Sequence, residues 1–279
     1  MAGAGVAAGL ALYSGEIERH KIEVTRSEVL IPGLAHAFDG FRVAQISDIH
    51  MDVYTEPFFL RDAVRRVNDM NLDAVFLTGD YITSGVSTKK FAIGAAWQCA
   101  NLLNQLRCSR RYAVLGNHDV FIGAREVTEA LTANAITVLS NAYLPIERAG
   151  SRFWLSGLDD PVEGDPHPDE AVPTAIRNLP QEPVILMCHA PDYVDELLTL
   201  PAGRAVSLIL AGHTHGGQIR LPFVGPLPLT LPNGGRKYVE GWFRFGGTQL
   251  YVNRGLGSVG VPFRFNCPPE ITLLTLRSA

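Results

Sequence analysis

The chain has 279 residues, a formal net charge of −4, 47% hydrophobic and 19% charged side chains, and four cysteines. That length and apolar content give a folded chain with a substantial core and exclude a disordered one. Mild acidity without a Lys/Arg run argues against a nucleic-acid partner, and Cys99, Cys108, Cys188 and Cys267, with no CxxC, argue against a disulfide-stapled or zinc-ribbon fold; a Cys99–Cys108 pair stays open.

Residues 1–15, MAGAGVAAGLALYSG, carry no charge. The stretch is shorter than the ~20 residues of a membrane span and lacks a basic leader. Residues 1–20 are read as the remnant of a membrane anchor or export signal, an apolar helix packed on the domain being the alternative; residues 21–279 are read as one domain. KIEVTRSEVLI (21–31) alternates like a half-exposed strand, and FRVAQISDIH (41–50) is an apolar strand with a polar end. FFLRDAVRRVNDM (58–70) has helical spacing at Phe59, Ala63, Val64 and Val67. LDAVFLTGDYI (72–82) is a buried strand, 91–107 a helix, and RYAVLGNHDV (111–120) a further strand. Strands are also expected at 153–160, 183–192, 206–215, 248–257 and 270–277. Strands and helices alternate early and strands dominate late, which predicts an α/β fold: a two-sheet β-sandwich flanked by helices.

Five of these strands end in polar groups that can bind metal: SDIH (47–50), TGD (78–80), GNHD (116–119), CHAPD (188–192) and GHTH (212–215). Strand carboxyl ends are where α/β folds place their sites. One such Asp would be an ordinary helix N-cap and one such His an ordinary core group, but five clusters at equivalent places argue for ligation. In extended chain, residues i and i+2 point the same way, so Asp48 with His50, and His213 with His215, would each present two donors in one direction. Glycines 79, 116, 212, 216 and 217 allow sharp turns and close approach to an ion. Oxygen and imidazole donors without thiolate suit Mn, Fe or Zn, and the donors are too many for one ion and enough for two sharing a carboxylate. Two ions about 3.5–4 Å apart form a clamp for in-line displacement at phosphorus, and with a bridging hydroxide such a centre keeps a charge of about +1, attractive to phosphate esters.

In their order D-x-H, G-D, G-N-H-D, strand-end H and G-H-x-H, these blocks resemble the calcineurin-like metallophosphoesterases. GHTHGGQI (212–219), LYVNRGLG (250–257) and CPPEITLLTL (267–276) resemble a bacterial branch of exported or membrane-associated phosphodiesterases. The resemblance implies Asp48, His50 and His215 on one metal, Asn117, His189 and His213 on a second, and Asp80 bridging. It gives His118 the role of the catalytic histidine that contacts the phosphate and can protonate the leaving oxygen, with Asp119 orienting it. The implied activity is dinuclear-metal hydrolysis of a phosphodiester or pyrophosphate by a metal-bridging hydroxide. Rival readings are a phosphomonoesterase or protein phosphatase, and a non-catalytic metal-stabilised module.

Outside the blocks, Arg254 and Gln218 are candidate substrate contacts, with a structural ion pair and a surface strand as their bland alternatives. Asp159 and Asp160 read as turn formers, His20, His36 and His167 as surface residues, and Cys188 as a buried thiol. LPFVGPLPLTLP (221–232), WFRFG (242–246) and VPFRFN (261–266) are read as an apolar rim for lipid chains or a membrane surface, or else as a loop folded on the core. The expected partner is a phosphoester, lipid-linked in this reading. The expected location is a bacterial membrane or the exported space, with the cytoplasm as the alternative.

Overall fold

Two six-stranded sheets lie face to face in the computed structural model, which describes all residues except 1–4, 6–8, 180, 233–235 and 279. The first sheet has the order β1 (Glu23–Ile31), β14 (Glu270–Ser278), β2 (Phe41–Ile46), β3 (Ala74–Thr78), β4 (Arg111–Val114), β5 (Thr137–Val138). The second runs β12 (Gly241–Phe245), β13 (Thr248–Val252), β9 (Val206–Ala211), β8 (Val184–Met187), β7 (Ser151–Gly157), β6 (Ala142–Arg148). A two-residue ribbon, β10 (Arg220–Leu221) with β11 (Gly225–Pro226), stands apart. Strands β2 to β5 are parallel, as are β7, β8, β9 and β13. All their carboxyl ends within a sheet therefore emerge on one edge.

Three apolar layers hold the sheets in place. Phe38, Phe41, Phe76, Phe153, Ile185 and Leu208 pack between the sheets. Helices α1 (Pro57–Asn68), α2 (Lys89–Leu103) and α3 (Asn117–Ala133) cover the outer face of the first sheet, and short helical turns cover the second. Helix α1 starts on Pro57 and buries Phe59, Leu60, Ala63, Val64 and Val67, one stripe at 3–4 residue spacing. Central strand β3 is buried at every position, as a parallel strand covered on both faces must be. The sandwich read from the sequence is the architecture found.

Several short elements are not expected from the sequence, β5, β10 and β11 among them, and three others differ for a clear physical reason. Strand β6 contains Pro145, which argues against a central strand; it lies at a sheet edge, where a missing N–H is tolerated. Edge strand β12 takes up WFRFG, which the sequence marks only as part of an apolar rim. Helix α3 begins at Asn117, inside a block read as the polar end of a strand. The expected strands also stop early: β2 ends at Ile46 and not at residue 50, because Asp48 and His50 leave the sheet in left-handed backbone.

Near the N-terminus, Ser14 and Gly15 are buried against the 262–267 loop: Arg264 N donates to Ser14 O at 3.1 Å and Cys267 N to Glu18 Oε1 at 2.9 Å. Residues 1–4 and 6–8 of the anchor expectation lie outside the described residues, and no described helix is long and apolar enough to cross a membrane. All four cysteines are free, so the Cys99–Cys108 pair is not formed.

Candidate metal centre

The five polar blocks meet where the carboxyl ends of the two sheets converge. Loop 47–51 after β2 is stitched to the loop after β3: Asp48 N donates to Gly79 O at 2.9 Å, His50 N to Asp80 O at 3.0 Å, and Met51 N to Tyr81 O at 2.8 Å. From the second sheet, Gly212 N donates to His189 O at 3.0 Å, and His213 N reaches Asp48 Oδ1 at 3.0 Å. Only glycine fits at 212, because a Cβ there would stand 1.9 Å from Ser47 Oγ and 2.3 Å from Asp48 Oδ2.

Two donor groups result, and Asp80 links them. In the first, His50 Nε2 lies 3.0 Å from His215 Nε2 and 3.5 Å from Asp80 Oδ2, and Asp48 Oδ1 lies 3.5 Å from His215 Nε2. In the second, His189 Nε2 lies 3.1 Å from Asp80 Oδ2 and 3.3 Å from His213 Nδ1, which is 2.9 Å from Asn117 Oδ1. Metal-capable atoms of Asp48, His50 and His215 fall within 4.8 Å of one another, as do those of Asp80, His189 and His213, and those of His50, Asp80 and His118. Divalent cations fit this set. Pairs of imidazole nitrogens aim at each other's lone pairs, which leaves one orphaned unless a proton or a metal lies between, and the donors are oxygen and imidazole with no thiolate.

The donors do not converge by extended i, i+2 alternation. Asp48, His50, Asp80, His213 and His215 all have φ between 48° and 72°, so none is extended. Left-handed turns bring the donors together, and His213 and His215 go to different groups.

Supporting contacts fix the rings. His189 Nδ1 donates to Thr78 O at 2.7 Å, which leaves Nε2 free to bind, and Thr83 Oγ1 stands 3.1 Å from His50 Nδ1. Burial pushes Asp48 up to about 6, with the charge on Asp80 adding to it. Burial also takes His50 and His213 down to about 3 and His215 well below its usual value. For Asp80 and His189, burial opposes both charges. Their mutual attraction wins: Asp80 is held well below the usual carboxylate range and His189 well above that of imidazole. A cation binding there would displace the His189 proton.

Above the donors opens a cleft of 280 Å³, lined by Asp80, Asn117, His118, His213 and His215 and by the apolar Leu231, Pro232, Val259 and Val261. Four features differ from what the sequence predicts. Asp119 does not orient His118: its buried carboxylate accepts from the backbone N–H of Asp80 (2.8 Å), Tyr81 (2.9 Å), Ile82 (3.3 Å) and Gly116 (3.0 Å). Gln218 is buried, donating to Val259 O and Val261 O and accepting from Val259 N, so it braces the cleft wall and has no group left for substrate. Arg254 is surrounded by Glu23 (3.1 Å), Glu270 (3.4 Å) and Glu240 (3.9 Å), the structural ion-pair alternative. The rim is smaller than expected: WFRFG forms β12, away from the cleft, and Arg264 of VPFRFN is fully buried, donating to the carbonyls of Arg254, Gly257 and Cys267. Asp160 does serve its turn, accepting from Val162 N and Glu163 N.

Sequence reasoning missed Thr83, Ser84 and Arg264. The hydroxyls directly follow the Asp80 block in DYITSG, but nothing in their spacing marks them.

A family profile described as calcineurin-like phosphoesterase matches residues 41–217. The chain is 35% identical to the uncharacterized metallophosphoesterase YkuE of Bacillus subtilis, over 99% of this chain and 93% of that protein. It is 31% identical to phosphodiesterase YaeI of Escherichia coli, over 97% and 96%. To the UDP-2,3-diacylglucosamine pyrophosphatase LpxG of Chlamydia muridarum it is 25% identical, over 94% and 92%.

Proposed function

This chain belongs to the calcineurin-like phosphoesterases and is a metal-dependent phosphoester hydrolase, and from that premise we propose that it cleaves a phosphodiester or pyrophosphate bond in a lipid-linked substrate at a two-metal centre. The observation that carries this reading is the sharing of Asp80: its Oδ2 lies 3.1 Å from His189 Nε2 and 3.5 Å from His50 Nε2, at the junction of two donor groups. Asp48, His50 and His215 would hold one ion, Asn117, His189 and His213 the other, with Asp80 between, and Mn, Fe or Zn suit the donors. When bound, such ions supply Lewis-acid activation of water and stabilisation of charge on phosphoryl oxygens. The chain's own residues do the rest. His118 N donates to Asp80 Oδ1 at 3.0 Å, which keeps the shared carboxylate turned, and the His118 ring lines the cleft where the phosphoryl group would lie.

The apolar part of the cleft lining supports the substrate class. Leu231, Pro232, Val259 and Val261 offer no charge and suit acyl chains, while Leu221, Phe223 and Val224 stand exposed on the hairpin beyond. The LpxG relatives, named for a diacylated sugar nucleotide, favour the same class. A panel of phosphomonoester, aryl phosphodiester and lipid-pyrophosphate substrates, run on metal-stripped protein reloaded with Mn²⁺, Fe²⁺ or Zn²⁺, tests the reaction. Serine at Leu221, Phe223 and Val224 should lower turnover of lipid substrate in vesicles and spare the soluble diester. Equal loss on both would remove the lipid reading, and turnover of monoesters alone would replace it with a phosphomonoesterase.

A further inference from the structure

His118 is held by a residue outside the five blocks. In the loop after β3, Ser84 donates its backbone N–H to His118 Nδ1 at 2.9 Å, and Ser84 Oγ stands 2.7 Å from the same nitrogen. A backbone N–H can only donate. Nδ1 is therefore the acceptor, and the ring hydrogen sits on Nε2. Among the described residues no carboxylate faces Nδ1, because both oxygens of Asp119 are committed to backbone amides. The preceding residue, Thr83, meets the neighbouring ring. His50 and His118 lie 4.9 Å apart, nearly perpendicular, and His50 turns Nε2 to the donor group and Nδ1 to Thr83 Oγ1. Adjacent hydroxyl residues thus meet the Nδ1 atoms of two neighbouring histidines, and only at His118 does a backbone N–H fix that atom as the acceptor.

We propose that Ser84 is a positioning residue that fixes His118 as a hydrogen-bond donor through Nε2, so that His118 stabilises charge on the phosphoryl group and does not hand a proton to the leaving oxygen. The inference rests on the reading of His118 as the side chain that meets the phosphate. In the step, a water oxygen forms a new P–O bond and loses its proton to solvent, while the P–O bond to the leaving group breaks and its electron pair goes to the leaving oxygen. That oxygen takes its proton from solvent water, and the Nε2 hydrogen stays on the ring. Such a donor acts on charge that grows in the transition state, so its loss slows every ester alike.

The test uses full-length protein with ¹⁵N-labelled histidine, both metal-free and loaded with diamagnetic Zn²⁺. Long-range ¹H–¹⁵N correlation, with His118→Ala identifying the signals, should show an unprotonated Nδ1 and a protonated Nε2 for His118. A hydrogen on Nδ1 would overturn the proposal. Ser84→Ala removes the closer donor and should lower kcat by about tenfold with little change in KM, as loss of an outer hydrogen-bond partner typically does; Ser84→Thr, which keeps both donors, should restore it. Ser84→Ala keeps the backbone N–H, so the tautomer should persist while the rate falls; a wild-type kcat would count against the role. The rate penalty of His118→Ala should be the same for nitrophenyl and alkyl diesters, whereas a penalty confined to alkyl leaving groups would mean that His118 gives up its proton after all. Failure of the underlying reading looks different: His118→Ala would then hydrolyse at wild-type rates whatever the spectrum shows.

Discussion

Replacing Asp119 with Asn is the sharpest probe of how the donor loops are held. The carboxylate accepts four buried amides, two on each oxygen: Tyr81 N and Ile82 N on Oδ1, Asp80 N and Gly116 N on Oδ2. Asparagine keeps one oxygen and sets an NH₂ against the other two N–H donors. Two amides then lose their acceptor, each at about 1–3 kcal/mol, so a loss of about 2–6 kcal/mol follows. Against a total stability of about 5–15 kcal/mol that is a large share. The assay is urea unfolding of metal-stripped protein at neutral pH, with metal content and kcat measured in parallel. Because the lost bonds tie the Asp80 turn to the start of α3, metal affinity should fall while kcat per bound metal pair stays close to wild type. An Asp119→Asn protein as stable as wild type, or one that binds metal normally but turns over slowly, would refute this account and restore a direct link between Asp119 and His118.

Two further outcomes are expected. Gly79 has φ +96°, and a Cβ there would stand 2.7 Å from both Gly116 N and His189 Nδ1, so Gly79→Ala should weaken metal binding by about tenfold or more in calorimetric titration; an unchanged affinity would mean that the turns can spread freely. Metal-stripped protein should be acid-labile through its buried rings. His50 and His213 titrate near 3 when folded and near 6.5 when unfolded, so the unfolded chain takes up more protons between these values. Stability then falls as pH drops from about 6.5 towards about 3, by roughly 1 kcal/mol per pH unit for each ring, and is insensitive to these groups above that window. Urea midpoints across pH 7.5–4.5 check this at about one-unit steps, and a His50→Gln/His213→Gln variant that retains the full slope would refute it.

Much of this architecture was legible because its signals are periodic or local. Buried parallel strands read as apolar runs, α1 as a 3–4 stripe, and the polar blocks fell at strand ends where the sandwich topology gathers them. What escaped depended on context that periodicity does not carry. Pro145 is compatible with a strand only because β6 has a free edge, and Asn117–Asp119 look like a strand's tail until the first turn of a helix is built on them. Side-chain roles failed wherever a polar group was absorbed by the fold. Asp119 and Gln218 carry the residue types of a site but serve backbone groups instead, and Arg254 is taken up by glutamates, distinctions that depend on which groups lie nearby. Ser84 was missed for the opposite reason, since a serine in a loop advertises nothing until the ring it touches is known.

The unusual φ values at Asp48, His50, Asp80, His213 and His215 have a wider consequence. Left-handed backbone costs an L-residue about 1–2 kcal/mol, and glycine would relieve it at every one of these positions. Folding alone would favour that relief, so side chains larger than glycine at these five turns spend stability on chemistry. A search keyed to runs of such torsions at the ends of parallel strands, blind to residue names, would point to this spot before any motif was consulted.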